Sequence, residues 1–154
     1  MKKWIWIAGL AALLLLSRVE HTGVDIDLLE PVRLVCVSAQ EDGICVETDT
    51  GAMGYGQDLE SAIANLHASS SASVFLDTAE FLVLSGKTEE LLPQLYGILR
   101  PACQVCVTNG QPDLAQVVEF LNAHPPQVKL LQCRAGTAKL PALYFQKGRG
   151  QIVQ

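Results

Sequence analysis

The residues with the most chemistry in this 154-residue chain are two aspartates, a cysteine pair and three histidines. Asp49-Thr50-Gly51 and Asp77-Thr78-Ala79 each follow an apolar run. Two aspartates sharing one proton can activate water, because like charges about 3 Å apart cannot both ionise. Cys103-Gln104-Val105-Cys106 has the C-x-x-C spacing of redox thiols or of half a zinc site. A redox pair of this kind opens a helix, whose positive end lowers the thiol pKa. Here Pro101 precedes the pair, and Val105, Val107 and Thr108 read as a strand. Residues three apart in a strand point to opposite faces and lie about 10 Å apart, too far to bridge. Buried apolar cysteines are therefore expected, with Cys103 and Cys106 as the candidates for thiol or metal chemistry and Cys133 as a further ligand type. His21, His67 and His124 fall in a linker or near expected helix ends, and none pairs with a Ser or Cys in triad order.

The Asp-Thr-Gly triplet resembles the catalytic loop of aspartic proteases. A bilobal enzyme is not expected, because the 28 residues from Asp49 to Asp77 cannot supply a whole lobe. A homodimer of the short retroviral type needs only Asp49, a flap and a later apolar-apolar-Gly segment, which Val83-Leu84-Ser85-Gly86 imitates loosely. The competing reading is a turn, in which Asp and Thr cap backbone groups and Gly takes positive φ.

These residues need elements to position them. Val32 to Ala39 is nearly all apolar and suits a strand covered on both faces. Asp42-Gly43 is a hairpin signal, with Ile44 to Thr48 as partner strand. That two-residue turn puts Cys45 opposite Gln40, so Cys36 and Cys45 would not face each other. Gly51, Gly54 and Gly56 suggest a flexible loop, and Asp58 caps a helix with Leu59, Ala62, Ile63 and Leu66 on its buried stripe. Val74 to Leu84 returns as a strand broken near Asp77-Thr78. A second helix is expected within 86–100, with Leu92, Leu95 and Leu99 on one face and Pro93 beginning or kinking it. Cys103 to Thr108 is a strand. Pro112 opens a third helix, whose Leu114, Val117, Val118 and Leu121 keep a 3.6 period until Pro125-Pro126. Val128–Cys133 and Leu143–Gln146 complete the strands. Tyr144-Phe145 reads as core or sheet edge. The sum is an α/β (α+β) fold, a mixed sheet with about three packed helices, in one domain over 32–154.

Lys2-Lys3 precedes thirteen uncharged residues, Trp4 to Leu16. A helix rises about 1.5 Å per residue across about 30 Å of hydrocarbon, so this run reads as a signal or signal-anchor. Ser17-Arg18-Val19-Glu20 is a poor cleavage site, which favours an uncleaved anchor at 1–20 followed by a linker at 21–31, and the polar, mixed stretch Ser17 to Glu30 has room for a short strand. The lysines stay inside and the bulk of the chain lies outside the cytoplasm; a cleaved export signal is the alternative. Five cysteines do not make a neat disulfide framework. Net charge is −5 and mean hydropathy +0.26. Nucleic-acid binding needs a basic face, so it is not expected. Lys87, Arg134, Lys139, Lys147 and Arg149 read as a solvated face.

From Leu34 to about Ala115 the order of elements resembles the first domain of the spore-germination receptor C-subunit (Ger(x)C) family. The matching stretches are Leu34-Val35-Cys36-Val37 with Ile44-Cys45-Val46, then Gly54-Tyr55-Gly56-Gln57-Asp58-Leu59 continuing through Asn65-Leu66. Val74-Phe75-Leu76, Glu80 to Gly86 and Cys106-Val107-Thr108-Asn109-Gly110 follow in the same order. The family carries a lipid-anchoring cysteine after its signal and is much longer; this chain has no such cysteine. The resemblance implies a non-enzymatic part in a membrane-associated assembly, and it transfers no binding residues. The expected function is thus a membrane-tethered extracytoplasmic accessory domain in spore formation or germination. It would engage protein partners at the membrane, with residues 4–16 in the bilayer and no cofactor. The alternative is an aspartic-type hydrolase using Asp49.

Overall fold

The computed structural model describes residues 29–70, 73–146 and 149–153. The expected anchor therefore lies outside the described residues, and among those described no helix is long and apolar enough to cross a membrane. The chain folds as an α+β sandwich around one mixed sheet of seven strands. In chain order the elements are β1 (Leu29–Pro31), β2 (Leu34–Gln40), β3 (Gly43–Thr48), β4 (Met53–Gly56), α1 (Leu59–Ser69), β5 (Ser73–Phe75) and β6 (Phe81–Ser85). Then come α2 (Leu92–Leu95), β7 (Gln104–Thr108), α3 (Leu114–Ala123), α4 (Leu130–Arg134), β8 (Ala142–Gln146) and β9 (Arg149–Val153). The sheet runs β4-β3-β2-β6-β7-β8-β9. β2, β6, β7 and β8 are mutually parallel, while the outer strands pair antiparallel. β1 lies in the stretch read as linker and pairs parallel with β5 in a second, two-stranded sheet.

Alternation along the strands sorts side chains into two cores, because successive residues point to opposite faces. Val35, Val37, Val46, Leu82, Leu84 and Val105 face α1, α2 and Leu130 of α4. Leu34, Cys36, Phe81, Val83 and Cys106 face α3, through Leu114, Val117, Val118 and Leu121. The central strands are buried on both faces, as their unbroken apolar runs require. Asp58 caps α1 as expected: its carboxylate accepts from the Ser61 backbone amide at 2.8 Å, and the Ser61 hydroxyl answers the Asp58 amide. These bonds, the Ser61 hydroxyl's first and its amide's second, hold the Asp58 carboxyl below its ordinary range.

Several local expectations give way to packing. The hairpin loop is Glu41-Asp42, so Gly43 lies opposite Gln40 and Cys45 opposite Ser38. Cys36 faces Glu47, so the two cysteines are indeed not opposite each other. The glycine-rich stretch is strand β4. A Cβ on Gly54 would meet the Ala62 carbonyl and the Leu66 backbone nitrogen, and one on Gly56 would meet Ser61 and Ala62. The glycines are there for close approach to α1. The helix expected within 86–100 shrinks to a 3-10 turn, Glu89–Leu91, and the single turn α2, although Leu92, Leu95 and Leu99 are all buried. Asp113, not Pro112, meets α3 as its N-cap, accepting from the Ala115 and Gln116 amides. Val128–Cys133 is not a strand: only Lys129 bridges to Gln104 before α4 begins. β9 forms where the sequence leads to no expectation of a strand.

Candidate functional site

In parallel sheets ligands collect at the carboxyl ends of the strands. The register aligns one row of side chains there. Ser38 pairs with Ser85, and Ser85 pairs with Thr108. Cys45 and Tyr55 extend the row outward across β3 and β4. Ser38, Ser85 and Thr108 are all buried. Each element end is fastened. The Ser85 hydroxyl donates to the Gly110 carbonyl at 2.7 Å, and the Gly86 amide to the Thr108 carbonyl at 3.2 Å. The Thr88 hydroxyl bridges the carbonyls of Val37 and Ser85 at 3.3 and 3.2 Å. Beside this row a cleft of about 180 Å³ opens between the β7–α3 loop and β8. Thr108, Asn109, Gln111 and Pro112 line one side, and Leu143 and Tyr144 the other. Thr108 is 7% exposed, and its hydroxyl, open to solvent, makes no hydrogen bond among the described residues. The cleft offers a hydroxyl, amides and an aromatic ring.

Asp49 lies at the opposite, amino-terminal end of the parallel strands. Its Oδ1 accepts from the backbone amides of Arg33 and Leu34, each at 3.0 Å, and its Oδ2 lies 3.4 Å from Arg33 Nε. Thr48 and Thr50 share a hydroxyl bond of 2.8 Å, and Gly51 has φ 89°. The triplet is a turn that fixes where β2 starts. Asp77 is exposed in a 3-10 turn, Leu76–Thr78. Its neighbour Thr78 ties that turn to Val32, the hydroxyl accepting from the amide and donating to the carbonyl. Among the described residues no hydrogen bond joins Asp49 to Asp77.

Cys103 packs in the core beneath α1 and α2, and Cys106 in the core beneath α3, so the pair straddles the sheet. All five cysteines are free. Burial pushes the thiols of Cys36, Cys103 and Cys106 up from 9.0 to about 12; Glu47 adds to this at Cys36, whereas Arg100 opposes it at Cys103. Burial first, and then Glu47, also raises Cys45. A thiol raised this way supports the fold while protonated. That contribution is whole below the unfolded value of 9.0 and is lost as pH climbs toward about 12. The thermal midpoint should hold from pH 7 to 9 and fall progressively from pH 9 to 11; a flat profile to pH 11 would show the thiols to be solvated. Among the described residues no group of three or more His, Cys, Asp or Glu is placed to hold a metal ion. His67 lies in the last turn of α1, and His124 follows α3 with its ring stacked on Phe120 at 4.9 Å.

No family model, no curated protein and no solved structure matches this chain.

Proposed function

We propose that this chain is a membrane-tethered extracytoplasmic interaction domain, an accessory subunit of an envelope assembly in spore formation or germination, with no catalytic role. The observation that carries this is the state of Asp49. Its carboxylate is committed to two backbone amides and one guanidinium. It therefore ties the β3–β4 turn to the start of β2 and stands at the far end of the sheet from the cleft. The apolar stretch Trp4 to Leu16 supports the tether, and the resemblance over Leu34 to Ala115 supports the assembly. On the α3 side, Met53 and Tyr55 of β4 are 58% and 45% exposed. Affinity capture of the tagged full-length protein from gently solubilised native membranes tests this reading. Envelope or germination-receptor subunits should be recovered in stoichiometric amounts. A partnerless protein that remains soluble after carbonate extraction would remove both the tether and the partner.

A further inference from the structure

The two edges of the seven-stranded sheet are treated differently. A sheet edge presents unpaired N–H and C=O groups, which natural folds cover, shorten or charge. At the β4 edge, α1 takes both outward carbonyls. Asn65 of α1 donates its side-chain amide to the Tyr55 carbonyl at 2.7 Å, and Ser69 its hydroxyl to the Met53 carbonyl at 2.9 Å. The β9 edge is five residues long, and its backbone bonds only to β8 among the described residues. Two residues separate the paired Gln146 and Arg149, so this pair and every second pair beyond it are the hydrogen-bonded ones. Gly150 and Ile152 therefore turn their N–H and C=O groups outward.

We infer that β9 pairs antiparallel with β9 of a second copy of this chain, about a two-fold axis at Gln151. That register sets outward-facing Gly150 against Ile152 of the second copy, which joins matching donors and acceptors. Arg149 falls opposite Val153, so no like charges meet directly. On one face, half-buried Phe120 lies over Gly150 and beside Ile152. On the other, Tyr144 and Val153, 55% and 43% exposed, flank the seam. The pairing buries these apolar groups together with the open edge. With both outward carbonyls of β4 already taken by α1, that edge cannot offer a full ladder to another strand, and the assembly closes at two.

Register makes the test sharp. Gln151 meets itself as a non-hydrogen-bonded pair, with Cα atoms about 4.5 Å apart, inside the roughly 4.4–6.8 Å that a disulfide spans. In the full-length protein in detergent, Gln151→Cys should cross-link to a reducible dimer under mild oxidation. Val153→Cys, which meets Arg149 rather than itself, should give less than a tenth of that yield, and the parent protein none. Val153→Lys places a cation against Arg149 and should weaken the dimer at least tenfold by sedimentation equilibrium. Equal cross-linking at both positions, or a parent protein that stays monomeric while Gln151→Cys fails to link, overturns the inference. A monomer would assign the edge to a strand of a different protein and would leave the proposed accessory role standing.

Discussion

Replacing Gly54 by alanine should be among the most damaging single-methyl additions in this protein. The new Cβ has nowhere to go: the Ala62 carbonyl, the Leu66 amide nitrogen and the Leu66 Cβ already fill the space. The obstacles are mostly helix backbone, which cannot rotate aside as a flexible side chain would. α1 must lift from β4, and its two bonds from Asn65 and Ser69 to the strand carbonyls go with it. Overpacking of this kind costs about 1–3 kcal/mol and can exceed that where backbone has to move. Leu59, Ala62 and Leu66, the buried residues of α1 itself, would be partly released as well. Thermal or urea unfolding of Gly54→Ala should therefore show a loss of about 3 kcal/mol or more. Gly110→Ala, where a Cβ meets open space, is the matched control and should change little. Equal stability of the two variants would mean that α1 does not sit on β4 as described.

Asp49 separates two readings of the same triplet. Its side chain is 7% exposed, and its Oδ1 is the acceptor for two amides at the start of β2. Asp49→Ala leaves those donors without a partner in a half-buried turn, at a cost of about 1–3 kcal/mol. Asp49→Asn keeps an amide oxygen in the same place and loses only the charge. Arg33 is 55% exposed, so the ion pair contributes about 0–1 kcal/mol. The expected order of stability is thus parent, then Asn close behind, then Ala well below. A turn residue obeys that order and changes nothing else. If the parent cleaved unfolded protein substrates and Asp49→Asn abolished cleavage with its fold intact, the hydrolase reading would replace the proposed one.

Local chemistry was easiest to read where neighbours in sequence decide the structure. Asp58 and Ser61 make a cap among themselves, and Leu114, Val117, Val118 and Leu121 announce a helix face by period alone. The break of the long apolar run at Asp77-Thr78 is likewise a local signal. Packing across the fold explains what was missed. Gly54 and Gly56 look like flexibility in sequence, and only the proximity of α1 shows that they are fitted to a helix. Val128 to Cys133 is a short apolar run, which periodicity cannot assign between strand and buried helix. Arg149 to Val153 contains a glycine and no aromatic residue, so nothing marks it as a strand until β8 pairs with it. The row of Ser38, Ser85 and Thr108 depends on the register of three strands distant in sequence. No spacing within any one segment brings those hydroxyls together.

The parallel join between β7 and β8 is a single residue pair, Val107 with Ala142. β8 and β9 are otherwise held by each other and by the packing of Leu143, Phe145 and Ile152 near α3. The C-terminal hairpin is therefore a small cooperative unit that can open while the β2–β6–β7 centre stays intact. Anything that binds only the closed hairpin shifts that opening equilibrium by mass action. Under the inferred β9–β9 pairing, order at this end of the sheet becomes a function of how much protein is present.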